Sequence, residues 1–196
     1  MKMWNELFEL RGEMVRLVPI SFDHLEGLWE AAKPDDIWTY MATTVRSKEE
    51  MEQMIASSIQ KREMGTDYTF TVVNQEDQII GSTRYLDILS EHRSLEIGST
   101  WYHPDYWRTR VNTECKYLLL RHAFESWQLR RVQLKTDSRN FRSQRAIERV
   151  GAVKEGTLRK DRKISGGYVR DTVFFSILRD EWGTVKKELA RKLGIQ

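Results

Sequence analysis

A chain of 196 residues that is 40% hydrophobic, 11% aromatic and 31% charged has the composition of one globular domain spanning residues 1–196, not of a disordered tail. The formal charge of +3 falls far short of charge-driven nucleic-acid binding, and the single cysteine, Cys115, excludes an internal disulfide and a thiolate-rich zinc site. No run approaches the ~18 apolar residues of a membrane span, and the opening MKMWNELFELRGE lacks the apolar core of a secretory signal, so the expected setting is cytoplasmic with no membrane partner.

Met14 to Pro19 alternates as a short strand that proline ends. From His24 to Lys33, Leu25, Leu28, Trp29 and Ala32 take the spacing of a helical stripe. Ser47 with Glu50 forms a capping-box pattern that opens a second helix through Met51, Met54, Ile55 and Ile59 to Gly65. Tyr68 to Val73 and Gln78 to Leu86 read as a hairpin about the polar turn Asn74-Gln75-Glu76-Asp77. Ser94 to Tyr102 is the next strand, closed by His103-Pro104-Asp105. From Asn112 the period turns helical, with Cys115, Leu118, Leu119, Ala123 and Phe124 on one face. On that stripe Cys115 reads as core rather than as a nucleophile. Arg131 to Thr136 alternates as a buried strand, and Asn140 to Val150 is a helix stopped by Gly151. Val153 to Leu158 and Asp171 to Leu178 are two strands joined around Ser165-Gly166-Gly167, and Asp180 to Leu193 is a closing helix. This order predicts an α+β fold: a mostly antiparallel mixed sheet of six to seven strands with helices on its faces.

The charge is unevenly placed. Between Arg108 and Arg149 eleven Lys and Arg stand against four Asp and Glu, so the remainder of the chain is net negative. A local basic face suits a phosphorylated ligand, or is simply a solvated surface. No specific nucleic-acid partner is expected. The four histidines show no metal spacing, and no metal is expected.

Two segments carry the chemistry. His103 to Glu114 joins a strand to a helix, with Arg108 and Arg110 before the first turn. The first N–H groups of a helix lack internal partners and carry about half a positive charge, so such an end binds phosphate. The second segment runs from Thr136 to Gly156 and begins its helix at Asn140 or Ser138, either of which serves as N-cap. Both helix starts follow a strand end, where open α/β sheets bind ligands.

These two segments, with Leu95-Glu96-Ile97-Gly98 before them and Glu181-Trp182 after the last strand, resemble the GNAT acetyltransferases. Within that family they resemble the branch of ribosomal-protein N-terminal (alanine/serine) acetyltransferases. The resemblance runs from Val15-Arg16-Leu17 to Glu181-Trp182, and its most specific part is Asn140-x-x-Ser143-x-x-Ala146-Ile147-Glu148-x-x-Gly151-Ala152. The sequence departs from the family at the phosphate loop, where Arg108 and Arg110 replace the usual glycines. Glycine there brings backbone amides close to phosphate, so the arginines either crowd that approach or supply charge instead.

The resemblance implies a sheet splayed between its fourth and fifth strands, and transfer of an acetyl group from acetyl-CoA to a primary amine by direct attack, without metal. Backbone N–H near Trp101 or Tyr102 would polarise the thioester carbonyl. The pyrophosphate would rest on the amides of Arg108, Thr109, Arg110, Val111, Asn112 and Thr113, and Asn140 and Ser143 would hold the cofactor arm. Glu96 is the implied general base, with a surface strand carboxylate or a partner for Arg84 or Arg93 as the other reading. Ser143 is the polar group implied for the leaving thiolate. A CoA thiol with a pKa near 8.5, as for cysteine, departs without a strong acid. An α-amine of pKa about 8 is roughly a tenth neutral at pH 7, whereas a free lysine is below about one part in a thousand, so an α-amine needs only modest help from a base. Trp38 and Tyr40 lie where the family builds its acceptor pocket, and Tyr168, Arg170 and Asp171 could face them; packing is the competing reading. The acceptor is a peptide N-terminus or a small-molecule amine, and the chain acts as a monomer or homodimer. A catalytically inactive CoA-binding or interaction module is the alternative.

Overall fold

The computed structural model describes residues 6–195. The first strands, β1 (Leu10–Arg11) and β2 (Val15–Pro19), pair antiparallel. The short helix α1 (Leu25–Ala32) follows, then α2 (Lys48–Met64), whose N-cap Ser47 hydroxyl accepts the Glu50 N–H at 3.2 Å. Helix α2 ends at Gly65, whose φ of 73° is the left-handed conformation that a helix stop requires. Strands β3 (Tyr68–Asn74) and β4 (Ile79–Leu89) form the expected hairpin. Asn74 organises its turn, its side-chain carbonyl accepting the N–H groups of Glu76 and Gln78.

Strand β5 (Ser94–Tyr102) pairs with β4 and leads to α3 (Val111–Arg121). Strand β6 (Arg131–Asp137), α4 (Phe141–Val150), the long hairpin β7 (Val153–Lys163) and β8 (Val169–Leu178), and α5 (Arg179–Leu193) complete the order. The sheet runs β1-β2-β3-β4-β5-β6-β8-β7, so β8 inserts between β6 and β7. Every contact is antiparallel except that of β5 with β6. The eighth strand is the two-residue β1, too short to show a period of two in sequence. Counting it, the predicted fourth and fifth strands are β5 and β6.

Helices cover both faces. One core gathers β-strand side chains such as Phe70, Tyr85 and Phe175 under α3, α4 and α5. The second, smaller core joins α1 and α2 through Leu28, Met51 and Ile55 to Trp38 and Trp101. The start of α3 is fixed from within: the buried Glu114 carboxylate accepts the N–H groups of Glu13, Met14 and Val15, each at 2.9 Å. Gly12 leaves the space for it, since a Cβ there would lie 2.5 Å from the carboxylate carbon. Strand β7, at the edge of the sheet, is exposed along nearly its whole length.

Candidate active site

The parallel contact of β5 and β6 is brief. It joins Ser94 to Arg131, Leu95 to Val132 and Glu96 to Gln133, and then stops. Beyond Glu96, β5 follows β4 to Tyr102, while β6 follows β8 to Asp137. A wedge opens between the two arms. On its β5 side the register slips between Ser82 and Arg84, where β5 carries one residue more than β4, and Ser99 takes a φ of 46°. This is a β-bulge, a device that turns a strand and re-aims its backbone groups. His103 donates its N–H to Ile80 of β4, so by strand alternation Tyr102 turns its own N–H and C=O away from β4, toward the wedge. The Tyr102 carbonyl accepts the indole N–H of Trp107 at 2.9 Å. Trp101, in register with Ser82, turns its backbone to β4 and packs its ring, tilted by 46°, against Trp38 with centroids 5.6 Å apart on the opposite face.

The start of α3 stands at the mouth of this wedge. Arg108 has a φ of 64°, in the left-handed region that glycine enters most readily. Arg110 does not wall off the helix end: its guanidinium donates to the Leu193 carbonyl at 3.1 Å, at the far end of α5. Thr109 accepts the Val111 N–H at 3.3 Å, and the helical ladder begins with Glu114 N–H to Arg110 C=O. Among the described residues, the N–H groups of Asn112 and Thr113 have no protein acceptor. At the start of α4 the Asn140 side chain accepts the Ser143 N–H at 3.0 Å, which makes Asn140 the N-cap. Arg142 of α4 lies over the Trp107 ring at 3.9 Å, linking the two helix starts across the wedge.

Glu96 points to the face of Trp101, away from α3. Its carboxylate is buried and forms an ion pair with Lys135 of β6 at 2.6 Å, so the pair bridges the arms at the point where they part. Gln133 stands 3.5 Å away and Asp87 lies 4.0 Å from the Lys135 amine. Burial raises the Glu96 carboxyl above its ordinary value against the opposing pull of Lys135. Gly98 accommodates the carboxylate, for a Cβ there would come within 2.7 Å of it. The expected partners Arg84 and Arg93 are not used. Arg84 turns instead to Asp67 at 3.7 Å and to the Ser58 hydroxyl at 3.2 Å.

The three aromatic candidates for the acceptor side converge unequally. Tyr40 and Tyr168 both face Arg139, whose guanidinium lies 3.5 Å from the Tyr168 ring centre and 5.7 Å from that of Tyr40. Two hydrogen bonds of 3.0 and 2.8 Å hold Arg139 to the buried Asp137 at the end of β6. Trp38 lines a separate open pocket of about 500 Å³ with Trp29, Thr39, Val45 and Gly166. Arg170 and Asp171 are taken up inside the hairpin, Arg170 bonding Thr172 and Asp171 accepting the Lys160 N–H. A larger groove of about 620 Å³ lies at the other end of the sheet, beside β2 and the residues before β1, far from the wedge.

The profile of the acetyltransferase (GNAT) domain matches residues 15–153. The chain belongs to the GNAT family. The ribosomal-protein-serine acetyltransferase of Escherichia coli K12 is 21% identical over 161 residues, covering 80% of this chain and 89% of that protein. An uncharacterised N-acetyltransferase, p20 of Bacillus licheniformis, is 28% identical over 111 residues. That match takes in 57% of this chain, and the chain spans only 61% of p20. Among solved structures, a protein of T. thermophilus assigned as an acetyltransferase superposes with a TM-score of 0.88 at 34% identity, over 97% of this chain and 100% of that one. No helix among the described residues is long and apolar enough to cross a membrane.

Against the GNAT framework, most of the sequence-derived site falls around one wedge: Glu96, Trp101 and Tyr102 on β5, residues 108–113 before and in α3, and Asn140 and Ser143 at the start of α4. Two residues escape the sequence reading, Lys135 beside Glu96 and Arg139 between the tyrosines. Lys135 sits two residues past Gln133, the last β6 residue paired to β5, on the same face as Glu96. Only the strand order, which sequence periodicity does not give, brings it to the carboxylate.

Proposed function

We propose that this GNAT protein is an acetyl-CoA-dependent N-acetyltransferase that moves the acetyl group to a primary amine by direct attack. The observation that carries the reading is the wedge, with an outward-turned Tyr102 amide on one arm, the free Asn112 and Thr113 N–H groups at its mouth and a buried carboxylate at its apex. The residues present fit the cofactor: the open end of α3 suits its phosphates, and the exposed Arg108 adds charge beside them. Acetyl-CoA brings an activated acyl group; what this chain adds is placement and proton handling. The Tyr102 N–H offers a hydrogen bond to a carbonyl oxygen that gains charge. Glu96, held 2.6 Å from Lys135, accepts a proton from the acceptor nitrogen directly or through water in its ionised form. The acceptor enters from the face of Trp101, past Trp38 and the Tyr40–Arg139–Tyr168 cluster. By likeness to the E. coli ribosomal-protein-serine enzyme, the acceptor class is a protein N-terminal α-amine, with small-molecule amines as the competing class.

Calorimetric titration with CoA tests the reading first, and absence of binding at millimolar CoA overturns it. Glu96→Gln then separates an enzyme from an inactive CoA-binding module. Its turnover with amine and peptide acceptors should fall about 10²- to 10⁴-fold while CoA affinity is unchanged. The inactive-module reading rests on the arginines in the phosphate loop; the Arg110 guanidinium, bonded to the Leu193 carbonyl, supports the enzymatic reading instead.

A further inference from the structure

We propose that Arg139 selects the acceptor: its guanidinium, fixed at the end of β6, takes the side-chain carboxylate of an acidic second or third residue in a peptide whose N-terminal amine lies at Glu96. The proposal rests on the functional reading above and deepens it by naming the acceptors that the site prefers.

Arg139 stands on the acceptor side of the wedge. Lys135 and Asp137 share one face of β6 by the period of two, and Lys135 is the residue that pairs with Glu96. The buried Asp137 carboxylate accepts the Arg139 Nε–H at 3.0 Å and Nη2–H at 2.8 Å. The guanidinium is therefore held on the Glu96 face, farther along the same arm. The segment from Trp38 to Tyr40 crosses the gap on that face. Trp38 packs against Trp101 of β5, and the Tyr40 ring centre lies 5.7 Å from the Arg139 guanidinium at the end of β6. Trp101, Trp38, Tyr40 and Arg139 thus rim the opening, and Tyr168 of the β7–β8 hairpin lies over Arg139 at 3.5 Å.

The guanidinium is held but not used up. It carries five N–H donors in a rigid fork. Asp137 takes two of them and also accepts the Arg139 backbone N–H at 2.9 Å, which fixes the loop. Among the described residues no acceptor meets Nη1, so the outer edge of the fork, one Nη1–H beside one Nη2–H, is left for a second carboxylate. With its side chain 43% exposed, Arg139 remains open to solvent. The acids of the neighbouring hairpin are committed elsewhere, Asp161 to Thr172 and Arg162, and Asp171 to the Lys160 N–H. Nor does Asp137 serve Arg139 alone, because the buried Arg170, bonded to Thr172 opposite Asp137, also lends it positive charge. Since Asp137 and Tyr168 already order the Arg139 side chain, a carboxylate binds it with less of the entropy cost that weakens exposed ion pairs.

Spacing decides which carboxylate. A strand rises about 3.3 Å per residue, so Asp137 lies roughly 7 Å beyond Lys135, and the Arg139 head is one hydrogen bond farther. An extended peptide has about the same rise, so with its terminal amine at Glu96 the side chain of its second or third residue reaches Arg139. A free amino acid holds its carboxylate only about 3 Å from its amine, too near to span that distance.

The test measures kcat/KM for acetylation of peptides that differ only in carrying Asp or its amide Asn at residue two, three or six. Wild type should favour the acid about tenfold or more at residue two or three, chiefly through KM, and should treat acid and amide alike at residue six. Arg139→Gln should bring every ratio close to one. Arg139→Lys, which keeps the charge but loses the fork, should recover only part of the preference. Where Arg139→Gln fails to fold, Tyr168→Leu, which removes the ring that orders the guanidinium, should still lower the ratio. Equal kcat/KM for acid and amide at residues two and three of the wild-type acceptors overturns the proposal and leaves the functional reading standing. A ratio that survives in Arg139→Gln, or a free amino acid or small amine preferred to every peptide, does the same. No acetylation of any peptide or small amine by protein that binds CoA overturns the functional reading and this proposal with it.

Discussion

Replacing Lys135 by methionine removes the cation 2.6 Å from Glu96 and keeps an apolar chain beside the Phe174 ring. Two unit charges about 4 Å apart interact by about 4 kcal/mol at an effective dielectric near 20. That attraction favours the ionised carboxylate, so losing Lys135 raises the Glu96 carboxyl further above its ordinary value. The direction is fixed by the site, because burial and Asp87 already push Glu96 upward and Lys135 is the leading opposing influence. A base works only when ionised, so activity rises with pH through its pKa. The acidic limb of kcat/KM should therefore move to higher pH in the variant. Thiol release from acetyl-CoA, followed across the acid and neutral range, measures it. A limb that stays in place in a folded variant would refute both the role of Glu96 and the coupling to Lys135. Stability gives an independent reading. A carboxyl with a raised native pKa binds its proton more tightly folded than unfolded, so stability falls as pH rises from about 4.3 through the native value. Lys135→Met widens that window. At neutral pH, removing one partner of a buried pair should cost about 3–5 kcal/mol.

Three further predictions concern the scaffold. Glu114→Ala strands three backbone N–H groups at the β1–β2 turn and should lower the unfolding free energy by about 3 kcal/mol in urea titration, whereas Glu114→Gln, which keeps an acceptor, should lose less. Burial, with Arg121 nearby, lowers His122 to about 4, so the unfolded chain takes up this proton first and stability is lost as pH falls from about 6.5 toward 4. His122→Phe, which keeps a ring against Phe8 and Trp127, should flatten that dependence of Tm on pH. At Arg108 a β-branched residue is disfavoured in the left-handed conformation. Arg108→Val should therefore cost about 1–2 kcal/mol in thermal unfolding, while Arg108→Gly should cost little.

Much of the fold is local and so is legible in the chain. The Ser47 cap, the Asn74 turn and the Gly65 and Gly151 stops each state their geometry within a few residues. So do the two helix starts after strand ends, and from them the open N-terminal end of α3 and the Asn140 cap follow. What no local pattern gives is who meets whom between strands distant in sequence. The local pattern puts Glu96 on its strand, but offers Arg84 and Arg93 on neighbouring segments as its partners, and neither pairs with it. Side-chain periodicity says which face a residue takes and nothing about which strand lies alongside. The parallel pairing of β5 with β6 alone brings Lys135 to Glu96, just as the packing of α3 on the bulge brings Lys116 to Thr100. Likewise, that an arginine can stand where the family has glycine is decided by backbone conformation, since the left-handed turn at Arg108 is tolerable in an exposed loop whose side chain points to water. Elements are set by residues close along the chain; the charges that meet at the candidate site are set by contacts across it.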